Sequence, residues 1–151
     1  MRLNQLLEHI SYESVQGSHD LIITDICYHS GRVKRGSLFV CIKGQYMDGH
    51  DYIMDAVNAG AFAVVVDENC MVNVRWECFI YTEHGKVRVH ELVRNYGMAV
   101  IGVHDTRLAL ARISAAFYDY PAKKLKMIGI TGTKGKTTTS FLIAGILKEA
   151  G

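Results

Sequence analysis

The sequence predicts an α/β fold followed by a strand, loop and helix of the kind that binds phosphate. Three observations support this prediction. Apolar runs of strand length alternate with segments of helical periodicity, residues 37–66 read as strand, helix and strand, and a glycine-rich segment joins a strand to a helix at residues 129–139. A strand, a helix and a second strand in this order normally form a parallel pair with the helix packed on the sheet. With 151 residues, the chain can hold one complete domain and part of a second.

The first helix and three strands are predicted from the first 66 residues. Four apolar residues recur at helical spacing and predict a short amphipathic helix: Leu3, Leu6, Leu7 and Ile10. Residues 21–28 are rich in β-branched side chains, and residues 37–42 form a second apolar run, so both are predicted strands. Asp51 is placed to cap the next helix, and Gly60 to end it in the left-handed conformation. The apolar positions of that helix are Ile53, Ala56 and Val57. Residues 61–66 then form a buried strand.

The middle of the chain predicts a hairpin, a strand and a second long helix. Residues 75–81 and 86–90 flank Glu83, His84 and Gly85, which is a spacing compatible with a β-hairpin. Residues 98–103 form another short apolar strand. Asp105 is placed to cap a helix over residues 106–118. The side chains expected to be buried on this helix are Leu108, Ile113, Ala116 and Phe117.

Pro121 marks the predicted domain boundary. It follows the helix that ends near residue 118 and precedes a lysine-rich segment, where an exposed linker is expected because proline disfavours continuation of a helix. We therefore predict a first domain over residues 1–121 and the start of a second over residues 122–151. The second domain would begin with a strand at residues 125–130, followed by a glycine-rich turn and a helix at residues 136–150.

The composition excludes several classes of protein. Lysine and arginine number 17 against 15 acidic residues, so the net charge of +2 does not indicate a nucleic-acid-binding surface. The longest apolar stretches are far shorter than the roughly 20 residues that span a membrane. Asn4, Gln5 and Glu8 interrupt the apolar N-terminus, which lacks the pattern of a secretion signal. We expect a cytoplasmic protein with no nucleic-acid partner and no membrane insertion.

The cysteines predict neither a disulfide framework nor a zinc site. They form no C-x-x-C pair, and two of them lie in apolar strand-like runs, where a reduced thiol packs as a small hydrophobe. The four are Cys27, Cys41, Cys70 and Cys78.

The glycine-rich segment at residues 129–139 carries the clearest chemistry in the sequence. Gly132 and Gly135 let the backbone bend so that its N–H groups converge on a phosphate. The helix that follows directs its unpaired N–H groups and partial positive charge at the same point, within reach of the Lys136 ammonium. Thr137 is the expected magnesium ligand. The predicted ATP-binding residues are Gly132, Thr133, Lys134, Gly135, Lys136, Thr137 and Thr138. The loop departs from the standard G-x-x-x-x-G-K-[ST] spacing, because Ile130 occupies the position of the first glycine.

This loop, T-G-T-K-G-K-T-T, resembles that of the Mur ligase family, which builds the peptide stem of bacterial cell-wall precursors. A second block resembles the first domain of that family. Residues 30–53 read S-G-R-V-K-R-G-S-L-F-V-C-I-K-G-Q-Y-M-D-G-H-D-Y-I, where the family usually has D-S-R-x-V-x-P-G-D-L-F-V-A-x-x-G and then D-G-H-x-F-I. The segment from Asp105 to the Lys-Leu-Lys run after Pro121 is similar to the join between the first and central domains of the tripeptide synthetase branch.

The resemblance implies a small UDP-binding domain with a mixed sheet and flanking helices, followed by the first β-loop-α unit of a P-loop ATPase domain. It also implies the residues that hold the UDP part of the substrate, which are Tyr28, Ser30, Gln45, Tyr46 and Met47. Their chemistry suits this role, because Ser30 offers a hydroxyl to uracil or ribose and a tyrosine offers an aromatic face to the base. In this reading His50 is a structural histidine in a helix-entry turn.

Four features depart from the family pattern. His29 stands where the family usually has aspartate, and Gly31 where it has arginine, which removes an ion pair or turn-bracing contact that the pattern implies. Arg35 replaces the usual proline, which loosens a turn. The region from residue 68 to residue 97 is longer than the pattern, which is consistent with an added hairpin.

The resemblance further implies an ATP-dependent amide-forming ligase that adds the third amino acid to UDP-N-acetylmuramoyl-L-Ala-D-Glu through an acyl phosphate. Its partners would be UDP-N-acetylmuramoyl-dipeptide, ATP and an amino acid, its cofactors ATP and Mg²⁺, and its catalytic residue in this chain Lys136. We expect a monomer at full length, and no activity from these 151 residues by themselves.

Three alternative functions share parts of this pattern. The ligase that adds the dipeptide at the next step shares the first-domain pattern but usually has T-G-S in the loop, so Thr133 argues against it. Folate polyglutamate ligases usually read G-K-G-S, which Thr137 and Thr138 disfavour. A non-catalytic module that binds a nucleotide sugar stays open, and turnover with both substrates and an amino acid would distinguish a ligase from it.

Overall fold

A computed structural model describes residues 1–74 and 77–150. The chain divides into two compact units, Met1–Asp119 and Tyr120–Gly151, so the division falls two residues before the predicted boundary. The strands of the first unit are β1 Ser14–Gln16, β2 Asp25–Cys27, β3 Ser37–Val40, β4 Ala63–Asp67, β5 Met71–Val74, β6 Glu77–Thr82, β7 Gly85–Arg88 and β8 Ala99–Val103. Its α-helices are α1 Leu3–Leu7, α2 Ile53–Asn58, α3 Val89–Tyr96 and α4 Thr106–Phe117. The second unit contains α5 Pro121–Lys124 and α6 Lys136–Glu149.

The main sheet of the first unit has the strand order β1-β8-β4-β3-β2. Strands β2, β3, β4 and β8 are parallel, and β1 pairs antiparallel with β8, so the sheet is mixed. The α/β fold with a mixed sheet and flanking helices is therefore confirmed. The crossover predicted from residues 37–66 is confirmed as well, since β3 and β4 are parallel neighbours joined through α2.

The sheet is buried on both faces, as expected for parallel strands covered by helices. Alternate residues along a strand point to opposite faces. Phe39, Val64 and Val100 belong to a core cluster that includes residues of α2 and α3. The intervening positions, such as Leu38 and Ile101, are fully buried on the opposite side, where α1 packs against α4. The four apolar residues predicted to form one face of α1 are all buried, although Ile10 lies beyond its end.

Helix α2 ends as predicted but is not capped as predicted. Gly60 has a φ of +94°, and its N–H donates to the Val57 carbonyl over 2.9 Å, which closes the helix in a left-handed turn. The prediction that Asp51 caps the helix was wrong. A 3-10 turn, Gly49–Tyr52, precedes α2 and is capped by Asp48, whose carboxylate accepts a hydrogen bond from the His50 N–H. The Asp51 carboxylate instead accepts from the N–H of Glu83, which is 2.8 Å away.

A second sheet has three strands in the order β5-β6-β7. Strands β6 and β7 form the predicted hairpin, with Thr82 paired to Gly85, and β5 adds a strand that was not predicted. The predicted start of the hairpin at Arg75 lies outside the described residues. The second strand ends at Arg88 rather than residue 90, because α3 begins at Val89.

Two further predictions about the first unit were only partly correct. The strand predicted at residues 21–28 is reduced to β2, because its parallel partner β3 begins only at Ser37. Asp105 caps α4 as predicted, by accepting from the N–H groups of Arg107 and Leu108. At the start of α4 the prediction was wrong by one position, because Leu108 is 46% exposed and the neighbouring Ala109 is buried. Of the side chains expected to be buried on α4, Ile113 and Ala116 are buried, whereas Phe117 is only partly buried.

In the second unit, the predicted helix is confirmed and the predicted strand is not. Helix α6 begins at Lys136, the residue predicted. Residues 125–130 are not a strand, since a strand requires hydrogen bonds to a neighbouring strand and the described residues of this unit contain none. Pro121 begins a one-turn helix in place of the expected linker, at the first helical position that proline favours. Among the described residues, no helix is long and apolar enough to cross a membrane.

Candidate functional site

A cavity of about 190 Å³ lies at the carboxyl ends of β2 and β3. In open parallel sheets, ligands bind in the crevice outside the carboxyl ends of the strands. The walls combine aromatic and aliphatic side chains with a few polar groups, which is the usual composition of a small-molecule site. The lining residues are Tyr28, His29, Ser30, Phe39, Ile42, Met47, Gly49 and Tyr52.

Three of the five predicted UDP-binding residues line this cavity, namely Tyr28, Ser30 and Met47. The other two, Gln45 and Tyr46, lie at the tip of the neighbouring turn, which the Gly44 N–H closes by donating to the Met47 carbonyl over 2.8 Å. Tyr46 is 89% exposed, so its ring is available to a ligand but does not shape the cavity.

Five lining residues were not predicted: His29, Phe39, Ile42, Gly49 and Tyr52. Gly49 and Tyr52 lie nine and twelve residues after the end of β3, in the 3-10 turn before α2. The other three carried a usable signal, because Phe39 lies in β3, and His29 and Ile42 each follow a strand, β2 and β3 respectively, by two residues. The carboxyl ends of adjacent parallel strands meet at one edge of a sheet. A prediction made from strand ends could therefore have found them, whereas one made from motif residues did not.

Beneath the turn that carries Gln45 and Tyr46, a buried pair of side chains fixes the backbone. The Asp48 carboxylate accepts hydrogen bonds from the His50 N–H at 3.0 Å and from the ring Nδ1 at 2.5 Å. The Nε2 atom of the same ring accepts from the Asp67 N–H at 3.0 Å, at the end of β4. Nε2 is therefore unprotonated and Nδ1 carries the ring proton. His50 is 1% exposed and both its nitrogens are used within the protein, which agrees with the predicted structural role.

The environment of Asp48 favours the ionised carboxylate. Burial by itself would raise its pKa. The hydrogen bonds from the His50 backbone and ring, together with the positive charge of Lys43, outweigh burial and hold the pKa of Asp48 below the ordinary value of 3.8. The Lys43 ammonium lies 3.9 Å from the second carboxylate oxygen. The Asp48 carboxylate beside this turn is therefore ionised and is held by hydrogen bonds from His50 and an ion pair with Lys43.

Gly49 brings two backbone segments together at the cavity wall. A Cβ atom placed on it would lie 2.6 Å from the Ile42 nitrogen and 3.0 Å from the Cys41 Cα, both of which belong to the backbone. The Gly49 N–H donates to the Ile42 carbonyl over 3.0 Å, so the two segments are in direct contact. Any side chain at this position must force them apart.

We expect Gly49→Ala to lower the free energy of unfolding of the first unit by about 1 to 3 kcal/mol, the usual cost of overpacking. It should also weaken ligand binding in the cavity, since Gly49 is part of its lining. Urea denaturation measures the first effect. Gly129→Ala is the matched control, because a Cβ atom there meets nothing within 4 Å. Equal stability of the two variants would contradict the close approach described above.

The second candidate site is the loop before α6. Gly132 and Gly135 adopt φ values of +146° and +81°, in the region that favours glycine, and the chain bends at the two residues between them. No side chain caps the amino end of α6, and its first intrahelical hydrogen bond is donated by the Thr139 N–H to the Gly135 carbonyl. The N–H groups of residues 136–138 therefore have no partner within the helix. A bent loop that leads into an uncapped helix is suited to binding an anion.

Lys136 lies where this loop closes. Its ammonium donates to the Gly132 carbonyl over 2.6 Å, so the side chain folds back across the loop. Thr137 stands at the second helical position and offers a hydroxyl oxygen, the hard type of ligand that Mg²⁺ prefers. The residues present thus fit a magnesium–triphosphate complex, with Lys136 and Thr137 as the side chains that would hold it. Thr133 and Lys134 form the bend, and Thr138 completes the first turn of the helix.

Comparisons with known proteins match the whole chain to one family. Residues 22–118 match the model of the Mur ligase family, catalytic domain. A UDP-N-acetylmuramoyl-L-alanyl-D-glutamate--2,6-diaminopimelate ligase of Clostridium perfringens is 38% identical over 151 residues, covering 100% of this chain and 27% of that protein. The enzyme of the same name from Bacillus velezensis is 40% identical over 152 positions, covering 100% of this chain and 26% of that protein. A crystal structure of MurF from Acinetobacter baumannii has a TM-score of 0.61 and 26% identity, over 98% of this chain and 27% of that one. The chain thus spans about a quarter of the length of the relatives that it matches.

Proposed function

This chain belongs to the Mur ligase family, and we propose that it forms the N-terminal part of an ATP-dependent ligase that adds the third amino acid to UDP-N-acetylmuramoyl-L-Ala-D-Glu in peptidoglycan synthesis. One observation carries the proposal. A cavity at the ends of parallel strands and a loop of phosphate-binding geometry occur in one chain, which aligns over its full length with ligases of this name. The protein would work in the cytoplasm, as a monomer at full length.

In this proposal residues 1–121 bind the UDP part of the substrate. Uracil enters the cavity between aromatic and aliphatic walls, with the ring of Tyr28 available for stacking and the Ser30 hydroxyl for a hydrogen bond. The volume of about 190 Å³ suits a base or a sugar better than a complete nucleotide, because pockets for whole drug-sized ligands usually measure roughly 300 to 1,000 Å³. Gln45, Tyr46 and Met47 on the exposed turn would then contact the parts of UDP that extend outside the cavity.

Residues 122–151 begin the ATP-binding domain. The Lys136 ammonium leaves the Gly132 carbonyl and pairs with the β- and γ-phosphates, while the N–H groups of residues 136–138 donate to phosphate oxygens. Thr137 would hold a Mg²⁺ ion, which would supply further neutralisation of phosphate charge. These groups stabilise the charge that develops as the γ-phosphoryl group passes to the substrate carboxylate. The resulting acyl phosphate is attacked by the amino group of the incoming amino acid, which forms the amide and releases phosphate.

The dipeptide-adding ligase of the next step is the less favoured function. The structural match to MurF has 26% identity, against 38% and 40% for ligases that, by their names, act on UDP-N-acetylmuramoyl-L-alanyl-D-glutamate. Thr133 gives the loop the T-G-T form, which also favours the third-residue ligase.

Phosphate release by the full-length protein tests the proposal. We expect release only when ATP, UDP-N-acetylmuramoyl-L-Ala-D-Glu and an acceptable amino acid are all present, with one phosphate per amide formed. Omitting each substrate in turn provides the controls. Turnover with UDP-N-acetylmuramoyl-tripeptide and D-Ala-D-Ala instead would establish the dipeptide-adding function. Binding of the nucleotides without turnover under any combination would indicate a non-catalytic module.

A further inference from the structure

Carboxylates cap turns that follow three of the four parallel strands of the main sheet. After β3, β4 and β8, the carboxylates of Asp48, Asp67 and Asp105 each accept a hydrogen bond from the backbone N–H two residues further on. After β2 the same bond is made by a histidine. The Nδ1 atom of His29 accepts from the Gly31 N–H at 3.1 Å and thereby caps the 3-10 turn Ser30–Arg32.

The two departures from the family pattern in this turn are parts of one contact. A Cβ atom on Gly31 would lie 3.3 Å from Cε1 and 3.4 Å from Nδ1 of the His29 ring. A side chain at position 31 would therefore crowd the imidazole, whereas glycine lets the ring approach the N–H that it caps. The ring of His29 takes the place of the usual aspartate, and Gly31 makes room for it.

A histidine cap differs from an aspartate cap in its response to protons. An ionised carboxylate keeps several lone pairs over the whole range of moderate pH, whereas Nδ1 has a single lone pair. Protonation of the ring converts Nδ1 into a donor, which then faces the Gly31 N–H. The capping bond is lost and the two N–H groups repel each other. An imidazole is the one ordinary side chain that makes this change between about pH 5 and 8.

The turn held by this cap forms one wall of the cavity. Tyr28, His29 and Ser30 all line it, and the Ser30 carbonyl accepts the Val33 N–H over 3.1 Å to close the turn. Opening the turn would move the Ser30 hydroxyl, which is the polar group offered to uracil or ribose in the proposed function.

We propose that His29 is a positioning residue that makes UDP binding depend on pH: its neutral ring holds the Ser30 turn in the binding conformation, and protonation releases the turn. This inference rests on the proposed binding of UDP in the cavity. It assigns a role to the histidine cap that follows β2, where β3, β4 and β8 are followed by carboxylate caps.

Other ionisable groups lie on the segments next to His29. Tyr28 precedes it, Arg32 lies on its own turn, Tyr52 lines the same cavity, and Asp55 belongs to α2, which packs against the turn. The strand before it carries Asp25. By residue type, none of these is an imidazole. His50 is also an imidazole and lies in the 3-10 turn Gly49–Tyr52 beside the cavity, where both its ring nitrogens are used within the protein. The His29→Asp variant, which keeps His50, isolates the role of the His29 ring.

The experiment compares UDP binding by the 151-residue chain and by His29→Asp, using titration calorimetry at about pH 8 and about pH 5.5. We expect the Kd of the unsubstituted chain to rise about three- to tenfold at the lower pH, the range for loss of one capping hydrogen bond. The Kd of His29→Asp should change less than twofold and stay near the high-pH value. His29→Ala, which has no cap at either pH, should bind weakly at both. Circular dichroism at the two pH values verifies that each variant remains folded.

A second measurement makes the outcomes distinguishable. The Gly31 amide in ¹H–¹⁵N spectra should shift with the protonation of the His29 ring in the unsubstituted chain, without any ligand, and should not shift in His29→Asp. If UDP binds and the pH profiles of the two proteins coincide, or if the Gly31 amide does not follow the ring, the role of His29 is overturned and the proposed function stands. If no protein binds UDP at pH 8, the proposed UDP site fails and this inference fails with it.

Discussion

Replacing Lys136 with alanine is expected to lower kcat of the full-length ligase about 100- to 1,000-fold, the usual cost of removing one group that stabilises developing charge. Lys136 begins α6, and its ammonium is already folded over the phosphate loop, 2.6 Å from the Gly132 carbonyl. Transfer to a phosphate oxygen requires only a small movement of a flexible side chain. Since the contact with the γ-phosphate strengthens as the phosphoryl group moves, kcat should fall more than the affinity for ATP.

Lys148→Ala is the matched control for this prediction. Lys148 lies in the last turn of the same helix, about 18 Å from Lys136 at 1.5 Å per residue. Its loss removes the same charge but no contact with the loop, so kcat should stay within about twofold of the unsubstituted enzyme. Steady-state phosphate release measures both variants. A Lys136→Ala enzyme as active as the Lys148→Ala enzyme would show that the loop does not act on the transferred phosphoryl group.

Asp48→Ala is expected to lower the free energy of unfolding of the first unit by about 2 to 4 kcal/mol at neutral pH. The change leaves the Nδ1–H of the buried His50 ring without its partner, which costs about 1 to 3 kcal/mol. It also removes the cap of the 3-10 turn before α2, which costs about 0.5 to 2 kcal/mol. Urea denaturation measures the sum. Asp20→Ala is the control, since Asp20 is exposed and forms a surface ion pair with the exposed Arg2 at 3.6 Å, a contact that contributes roughly 0 to 1 kcal/mol.

The lowered pKa of Asp48 predicts that the free energy of unfolding depends on pH. The pKa of Asp48 is lowered in the folded protein, so the native state favours the ionised carboxylate more than the unfolded state does. Its contribution is fully present above the unfolded pKa, near 3.8, and is lost as pH falls through the lower, folded pKa. In Asp48→Asn, stability should therefore decline less steeply below about pH 4 than in the unsubstituted chain. If the free energy of unfolding of the two proteins falls equally steeply below about pH 4, the pKa of Asp48 is not lowered by folding.

Much of the fold could be predicted because local pattern and burial agree. Strands β3, β4 and β8 are apolar on both faces, and the crossover through α2 follows from their order. The errors arose where tertiary partners decide the outcome. The extent of β2 depends on where β3 begins, and β5 exists through its pairing with β6. A strand at residues 125–130 would need a neighbouring strand that these residues do not have.

The candidate sites were predictable to different degrees. The phosphate loop depends on local sequence, since the glycines, the lysine and the following helix are contiguous. The cavity joins the end of β2 to the end of β3, so Tyr52 and Phe39 could not be assigned to it from motif residues alone. Asp51 was wrongly predicted to cap α2, because Asp48 and Asp51 are equally plausible caps in the sequence. Asp48 caps the 3-10 turn that precedes α2. Only the structure shows that the His50 N–H donates to Asp48 and the Glu83 N–H donates to Asp51.

The most direct test of this account is to map ligand binding on the 151-residue chain by ¹H–¹⁵N NMR, with UDP and MgATP added separately. We predict that UDP shifts the amides around the cavity, including Ser30 and Gly49, and leaves residues 132–138 unchanged. MgATP should shift residues 132–138 and leave the cavity unchanged. UDP shifts confined to other surfaces, or an absence of shifts at residues 132–138 under saturating MgATP, would contradict the assignment of the two sites.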